Sequence, residues 1–442
     1  MNYPIKTALL AMLLALAGCA SDRAYRPDLT ACQMSQSAEQ CARHAILVHT
    51  GQPDEYRMGF VEFDDQGQVR DRGQLKAVLN HFQDIAAKED VLLVTFAHGW
   101  HHNARYDDDN VRNFGRLLGQ LAKAEADSGH RRVLGLYLGW RGESVSLPLL
   151  RYATFWERKN TAHKVGANGV TEVLLKLEEI VNVKEGIAAA DTRPNQSRMA
   201  IIGHSFGGAV LFTALQQILE DRFIDSRRGK TVGDTAKGFG DLVVLVNPAF
   251  EALRYASLHD LGRERCSYFP QQLPKLAILT SEADWATGYT FPAGRFFSTL
   301  FESHNTLQRT FCNQTLQLEE GQADRNTVGH FAPYLTHELH ATGKGVKHLT
   351  DDGLSFSELK LRWASQQAGG EFDFGDSRLT HLGHAHPLNP HLNIRVDSAL
   401  IAGHNEIWDP RVVNFIRDLI AISTTPETAN QPACEKDGKG GK

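Results

Sequence analysis

The chain has 442 residues, with 47 Lys and Arg against 52 Asp and Glu, a net charge of −5. Hydrophobic residues make up 42% and charged residues 22%, which excludes a disordered chain, a collagen-like fibre and a polytopic membrane protein. There is no basic excess to neutralise phosphates, so nucleic acid is not an expected partner. The length suits one large domain or two ordinary ones. The unusual counts are 38 glycines and 20 histidines.

Residues 1–18 read as an export signal. Lys6 supplies the positive start, and Ala8 to Ala17 is an apolar run, too short to span a bilayer, which takes about 20 residues. The run ends Leu16-Ala17-Gly18-Cys19, which resembles the lipobox of bacterial lipoproteins. That resemblance implies acylation of Cys19 and a stable membrane anchor. Ala20 stands where inner-membrane retention usually calls for Asp, so the expected location in a Gram-negative cell is the outer membrane, facing the periplasm. Export places the remaining cysteines in an oxidising compartment. Cys32 with Cys41, and Cys266 with Cys312, are candidate disulfides. Spacing does not fix their connectivity, and Cys434 is left over. No CxxC pair suggests a structural zinc site.

Residues 19–44 are polar, without a strong period, and read as a tether. Strands are expected at Ala45–Val48, Phe60–Phe63, Val91–Phe96, Val133–Leu138, Met199–Ile202, Leu242–Val246, Leu276–Leu279 and Ile394–Ile401. The continuous apolar runs among them suit strands buried on both faces. Between them lie amphipathic stretches. Val111, Phe114, Leu117, Leu118 and Leu121 share one face of a helix over 110–126, and Val170, Val173, Leu174, Leu177 and Val181 share one over 170–183. A third helix runs from Gly208 to Leu219. A fourth begins at Asp409-Pro410, with Asp as N-cap. This alternation predicts an α/β fold with a mostly parallel sheet covered on both faces. This α/β domain is expected over 45–422. Residues 285–393 interrupt the rhythm and read as an insertion or cap, with Phe291, Phe296 and Phe297 either core or pocket residues. Residues 423–442 read as a disordered tail.

One motif carries chemistry. Met199–Ile202 leads into Gly203-His204-Ser205-Phe206-Gly207 and then a helix. Strand, sharp turn and helix are the context this serine motif needs. The turn lifts the hydroxyl above the strand end, and the helix N-terminus favours developing negative charge. Here the chain resembles the α/β-hydrolase superfamily, over roughly residues 45–420 with the insertion excepted. The resemblance implies an oxyanion donor at the Phe206 amide. The second donor lies in Ala97-His98-Gly99-Trp100 after Val91–Phe96, with the Trp100 amide the candidate and Gly99 the alternative. His98 is expected to hold this loop rather than act as a base.

A serine hydroxyl needs a base, and the base an orienting carboxylate. In the family the order is serine, acid, histidine. Asp284, just past Leu276–Leu279, is the expected acid, with Glu282 its rival and Asp397 a weaker one. His404, between the last strand and the last helix, is the expected base. Two histidine groups, His98/His101/His102 near Asp107–Asp109 and His381/His384/His386/His391, lack a recognisable ligand spacing, and no metal or other cofactor is expected. The resulting expectation is a membrane-anchored serine hydrolase, esterase or lipase-like, acting on small-molecule or lipid esters. Thioesterase, amidase and acyltransferase use the same triad. A catalytically silent envelope-binding protein and a metal-dependent hydrolase are the readings from other classes.

Overall fold

The computed structural model describes residues 22–34, 39–51, 53–128, 131–144, 154–183, 195–226, 235–343 and 356–424. The export segment, Cys19 and Cys434 lie outside them. Twelve strands form one sheet: β1 (Asp28–Gln33), β2 (His44–His49), β3 (Tyr56–Glu62), β5 (Arg132–Gly139), β4 (Val91–Ala97), β6 (Arg198–His204), β7 (Leu242–Val246), β8 (Leu276–Ser281), β14 (His391–Val396), β11 (His337–Ala341), β13 (Ser377–His381) and β12 (Glu371–Asp373), in that spatial order. From β3 through β11 every neighbouring pair is parallel. The parallel block therefore delivers all its C-terminal ends to one edge. The antiparallel pairs of this sheet are β2–β3 on one flank and β11–β13 and β13–β12 on the other.

The sheet is mostly parallel because its central strands are apolar on both faces. In β4, Val91, Leu93 and Ala97 pack into one core cluster while Leu92, Val94 and Phe96 pack into the other. Helices α1 (Arg72–Ala86), α3 (Phe155–Val165), α4 (Thr171–Val181), α5 (Phe206–Ser226) and α6 (Ala252–Glu264) cover the first face. Helices α2 (Asp109–Ser128), α9 (Phe356–Ala364) and α10 (Pro410–Thr424) cover the second. The α10 start is capped as expected, with Arg411 N–H donating to Asp409 Oδ1 at 2.9 Å. Disulfides join Cys32 to Cys41 and Cys266 to Cys312.

The strand expected at Phe60–Phe63 is Tyr56–Glu62 and the helix expected from Gly208 to Leu219 is Phe206–Ser226; four further differences bear on the domain limits. The tether stretch contains β1, held parallel to β2 and stapled by Cys32–Cys41; its side chains are mostly exposed, so no apolar period marks it. The last parallel strand is His391–Val396, because residues beyond 396 turn, with Leu400 N–H donating to Asp397 O. Helix α10 runs to Thr424 with its end buried, so the tail cannot start at 423; residues from 425 lie outside the described set. The stretch 285–393 divides in two. Its first part holds α7 (Phe291–Ser298), the hairpin β9 (Thr306–Phe311) and β10 (Gln314–Glu319), and α8 (Glu320–Arg325). Its second part adds β11, β12 and β13 to the main sheet, so it is sheet extension rather than cap.

Candidate active site

Strand β6 ends at His204 and α5 begins at Phe206, which leaves Ser205 alone to make the turn. Its φ is +55°, a left-handed conformation that L-residues adopt at a cost. The surrounding backbone over-determines it. Ser205 N–H donates to Val246 O at 3.0 Å, and its carbonyl accepts from Ala209 and Ala249. Gly207 is required because a Cβ there would lie 2.1 Å from Ala97 O. Helix and β4 therefore touch backbone to backbone beneath the serine.

Three expected residues meet at this turn. Ser205 Oγ lies 2.7 Å from His404 Nε2, and His404 Nδ1 lies 2.8 Å from Asp284 Oδ2. A buried carboxylate accepts only, so it places the imidazole proton on Nδ1 and leaves Nε2 facing the serine hydroxyl as an acceptor. Burial pushes the Asp284 carboxyl up. The hydrogen bond and charge of His404 and the donors of Thr287 outweigh it and hold Asp284 below its ordinary 3.8. Its donors are Thr287 Oγ1 at 2.5 Å on Oδ2, and the N–H groups of Ala286 and Thr287 on Oδ1. Glu282 is exposed and accepts from Ser398 N–H. Asp397 accepts from Ala399 N–H within its own turn.

The groups that fix the histidine loop are not among the expected site residues. His204 Nε2 donates to His404 O at 2.9 Å, and Asn247 Nδ2 donates to the same oxygen at 3.0 Å. Asn247 Oδ1 accepts from Ser281 N–H, and Ser281 Oγ donates to Ile401 O at 2.6 Å. The ends of β6, β7 and β8 thus each hold the loop. Complete burial holds His204 neutral, with a pKa lowered to about 3. His330 Nε2 lies 3.1 Å from Thr287 Oγ1. Since that hydroxyl gives its proton to Asp284, His330 is the donor to it. Asn247 ends an apolar run just before Pro248; that is the one mark that singles it out.

The loop after β4 passes over the serine. A Cβ on Gly99 would lie 2.9 Å from Ser205 Cβ and 3.0 Å from His204 Nδ1. His98 is wholly buried. It bonds Gly99 O through Nδ1 at 2.9 Å and accepts Trp140 N–H at Nε2 at 3.1 Å; burial lowers its pKa to about 4. The loop's shape therefore depends on a neutral His98. The rings of Trp100, Phe155 and Phe206 cluster beside the turn, with Phe155 4.9 Å from Phe206 and 5.3 Å from Trp100.

The other histidines are dispersed among separate partners. His101 pairs with Glu143 and His102 with Asp108, while His337 and His381 stack edge to face. Among the described residues, Glu302, His304 and Asp324 form the group whose ligand atoms lie within 4.8 Å of one another. Asp324 is already ion-paired with Arg295, which opposes a cation there. Among the described residues no helix is long and apolar enough to cross a membrane.

No protein-family model matches the chain, and no curated protein matches it. Among solved structures it is similar to phospholipase PlaB from Legionella pneumophila in complex with thio-NAD, at 14% identity and a TM-score of 0.23, over 52% of this chain and 48% of that one. A second structure, of phospholipase PlaB from Legionella pneumophila, aligns at 13% identity and a TM-score of 0.25, over 75% of this chain and 64% of that one. The chain spans less than two thirds of either structure. A likeness this slight carries no argument, and the chemistry rests on the site itself.

Proposed function

We propose that this chain is a serine hydrolase of the α/β-hydrolase type that cleaves carboxylic esters through an acyl-enzyme. The observation that carries the proposal is the continuous hydrogen-bonded series Ser205–His404–Asp284 at the C-terminal edge of a parallel sheet. Ser205 Oγ attacks the ester carbonyl while His404 Nε2 takes its proton. Asp284 stabilises the imidazolium that forms. Negative charge on the carbonyl oxygen is met by the amides of Phe206 and Trp100, donors of a kind worth about 2.7–4 kcal/mol each. His404 then protonates the departing alkoxide. Water, deprotonated by His404, attacks the acyl-enzyme and releases the acid. No step requires a metal or an organic cofactor. His204, Asn247 and Ser281 act as positioning residues for the histidine loop. In this proposal the chain is a lipoprotein, acylated at Cys19 and held at the bacterial cell envelope.

The test is a panel of p-nitrophenyl esters of graded chain length. Wild type hydrolyses at least one. Ser205→Ala and His404→Ala each lose at least a thousandfold in kcat/KM with unchanged circular dichroism, because members of one relay fail together. EDTA leaves turnover unaltered. Near-wild-type turnover in either variant refutes the relay.

A further inference from the structure

Half of the exposed large apolar side chains among the described residues fall within one short segment. They are Trp285, Tyr289, Phe296, Phe297, Leu300 and Phe301, six of twelve. Tyr289, Phe297 and Phe301 are 76%, 72% and 102% exposed. A patch of this kind normally marks an interaction site. The segment is held in place from below. Phe291 is fully buried, Gly294 packs so closely on Trp156 that a Cβ would lie 1.9 Å from its ring, and Arg295 is ion-paired with Glu251 and Asp324. The aromatics thus project from a fixed base. They also adjoin the site, since Thr287 at the start of the segment bonds Asp284.

The chain enters the fold on the same edge. Tyr25 and Arg26 N–H donate to the Glu62 carboxylate at the C-terminal end of β3, and Arg26 Nε donates to Ala104 O in the loop after β4. Asp22 pairs with Arg70 beside them. Cys19 precedes Asp22 by three residues, a reach of about 11 Å. The sheet order β3-β5-β4-β6-β7-β8 sets the spacing, since strands lie about 4.8 Å apart. The N-terminal entry is then about 14 Å to one side of Ser205, and the aromatic segment about 10 Å to the other.

We propose that residues 285–301 seat on a phospholipid bilayer, and that together with the N-terminal anchor they turn the mouth of the Ser205 site toward the membrane surface. The anchor half of this rests on the lipoprotein reading above. Phe and Leu suit this place because they enter the acyl boundary outright, and Trp and Tyr because their apolar bodies do so while their N–H and O–H tips stay among headgroups. Arg325, lying over the Phe296 ring at 5.2 Å, puts a cation where headgroup phosphates would lie.

The test uses the full chain in a Cys434→Ser background with Phe297→Cys, labelled with an environment-sensitive nitrobenzoxadiazole dye. It is bound to phosphatidylcholine vesicles with or without a shallow acyl-chain nitroxide lipid. The control label is at Ile224→Cys. That residue is exposed on α5, 18 residues and about 27 Å along the helix from Phe206. Nitroxide quenching at 297 is expected to exceed that at 224 at least twofold. Equal quenching, no quenching at 297, or failure to associate with vesicles overturns the proposal; a protein partner covering the patch would give the second result. Hydrolysis of soluble p-nitrophenyl acetate by the same samples separates the two claims. Activity without quenching removes the membrane seat alone, and quenching without activity removes the esterase reading alone. A second variant, Tyr289→Ser/Phe297→Ser/Phe301→Ser, keeps turnover of soluble ester within twofold and loses at least tenfold on p-nitrophenyl palmitate carried in vesicles. Equal rates on the vesicle-borne ester also overturn the proposal.

Discussion

Replacing Asp284 by Asn tests the relay at nearly constant volume. Asp284 Oδ1 accepts two backbone N–H groups, so the Asn oxygen takes that place and the amide NH₂ replaces Oδ2, facing His404 Nδ1. A donor there forces the other tautomer. Nδ1 becomes the acceptor, and Nε2–H points at Ser205 Oγ, where it cannot take a proton. The lost attraction to an imidazolium at 2.8 Å is about 6 kcal/mol at an effective dielectric constant of about 20. At about 1.4 kcal/mol per decade, the expected loss in kcat/KM is roughly ten-thousandfold. Glu282→Gln, on an exposed side chain, stays within about twofold. The assay is kcat/KM on the best p-nitrophenyl ester, with thermal melts to confirm folding. Asp284→Asn within tenfold of wild type, or Glu282→Gln falling as far, refutes the reasoning.

Other expectations concern stability. Phe291→Ala, in a fully buried site, should cost about 3–5 kcal/mol in urea unfolding. The exposed pair Phe296→Ala/Phe297→Ala should stay within about 0.5 kcal/mol; the reverse ranking would contradict the packing of α7. Burial raises the Glu251 carboxyl, but Lys159 at 2.5 Å outweighs it, with help from Arg254, and holds it at about 2 against an ordinary 4.5. A lowered folded-state pKa stabilises the fold above about pH 4.5, and that contribution disappears as pH falls toward 2; its size is about 3 kcal/mol. The gap in urea midpoint between wild type and Glu251→Gln should therefore shrink from pH 7 to pH 2.5, and a gap independent of pH would sink this account.

What the sequence revealed follows from which segments are buried on both faces. β4, β5, β7 and β8 are dominated by apolar residues and buried along nearly their whole length, and the turn at Ser205 is marked by glycines, of which Gly207 is required by the close backbone approach to Ala97. Segments with mixed surroundings left weaker marks. The hairpin β9–β10 is largely exposed and polar; Leu307, Phe311, Leu316 and Leu318 alternate toward the core, too few apolar residues to stand out from a loop. Helix α3 buries Arg158, Lys159 and Thr161 on its inner side, where ion pairs with Asp65 and Glu251 replace apolar contacts. No hydrophobic stripe announces such a helix. Phe291, Phe296 and Phe297 look alike in sequence, yet one is core and two project outward; that division depends on the Trp156 ring beneath Gly294, a contact 138 residues away in the chain. The residues that hold the histidine loop, His204 and Asn247 on the His404 carbonyl and Ser281 on that of Ile401, come from three strand ends that only the folded sheet brings together.

The most direct measurement of the central claim is covalent capture. The full chain is treated with a fluorophosphonate, digested and mapped by mass spectrometry. One stoichiometric adduct on Ser205 is expected, formed as its oxygen displaces fluoride, with the labelling rate reduced at least a thousandfold in His404→Ala. An adduct on another serine, or labelling of His404→Ala at the wild-type rate, would contradict the account.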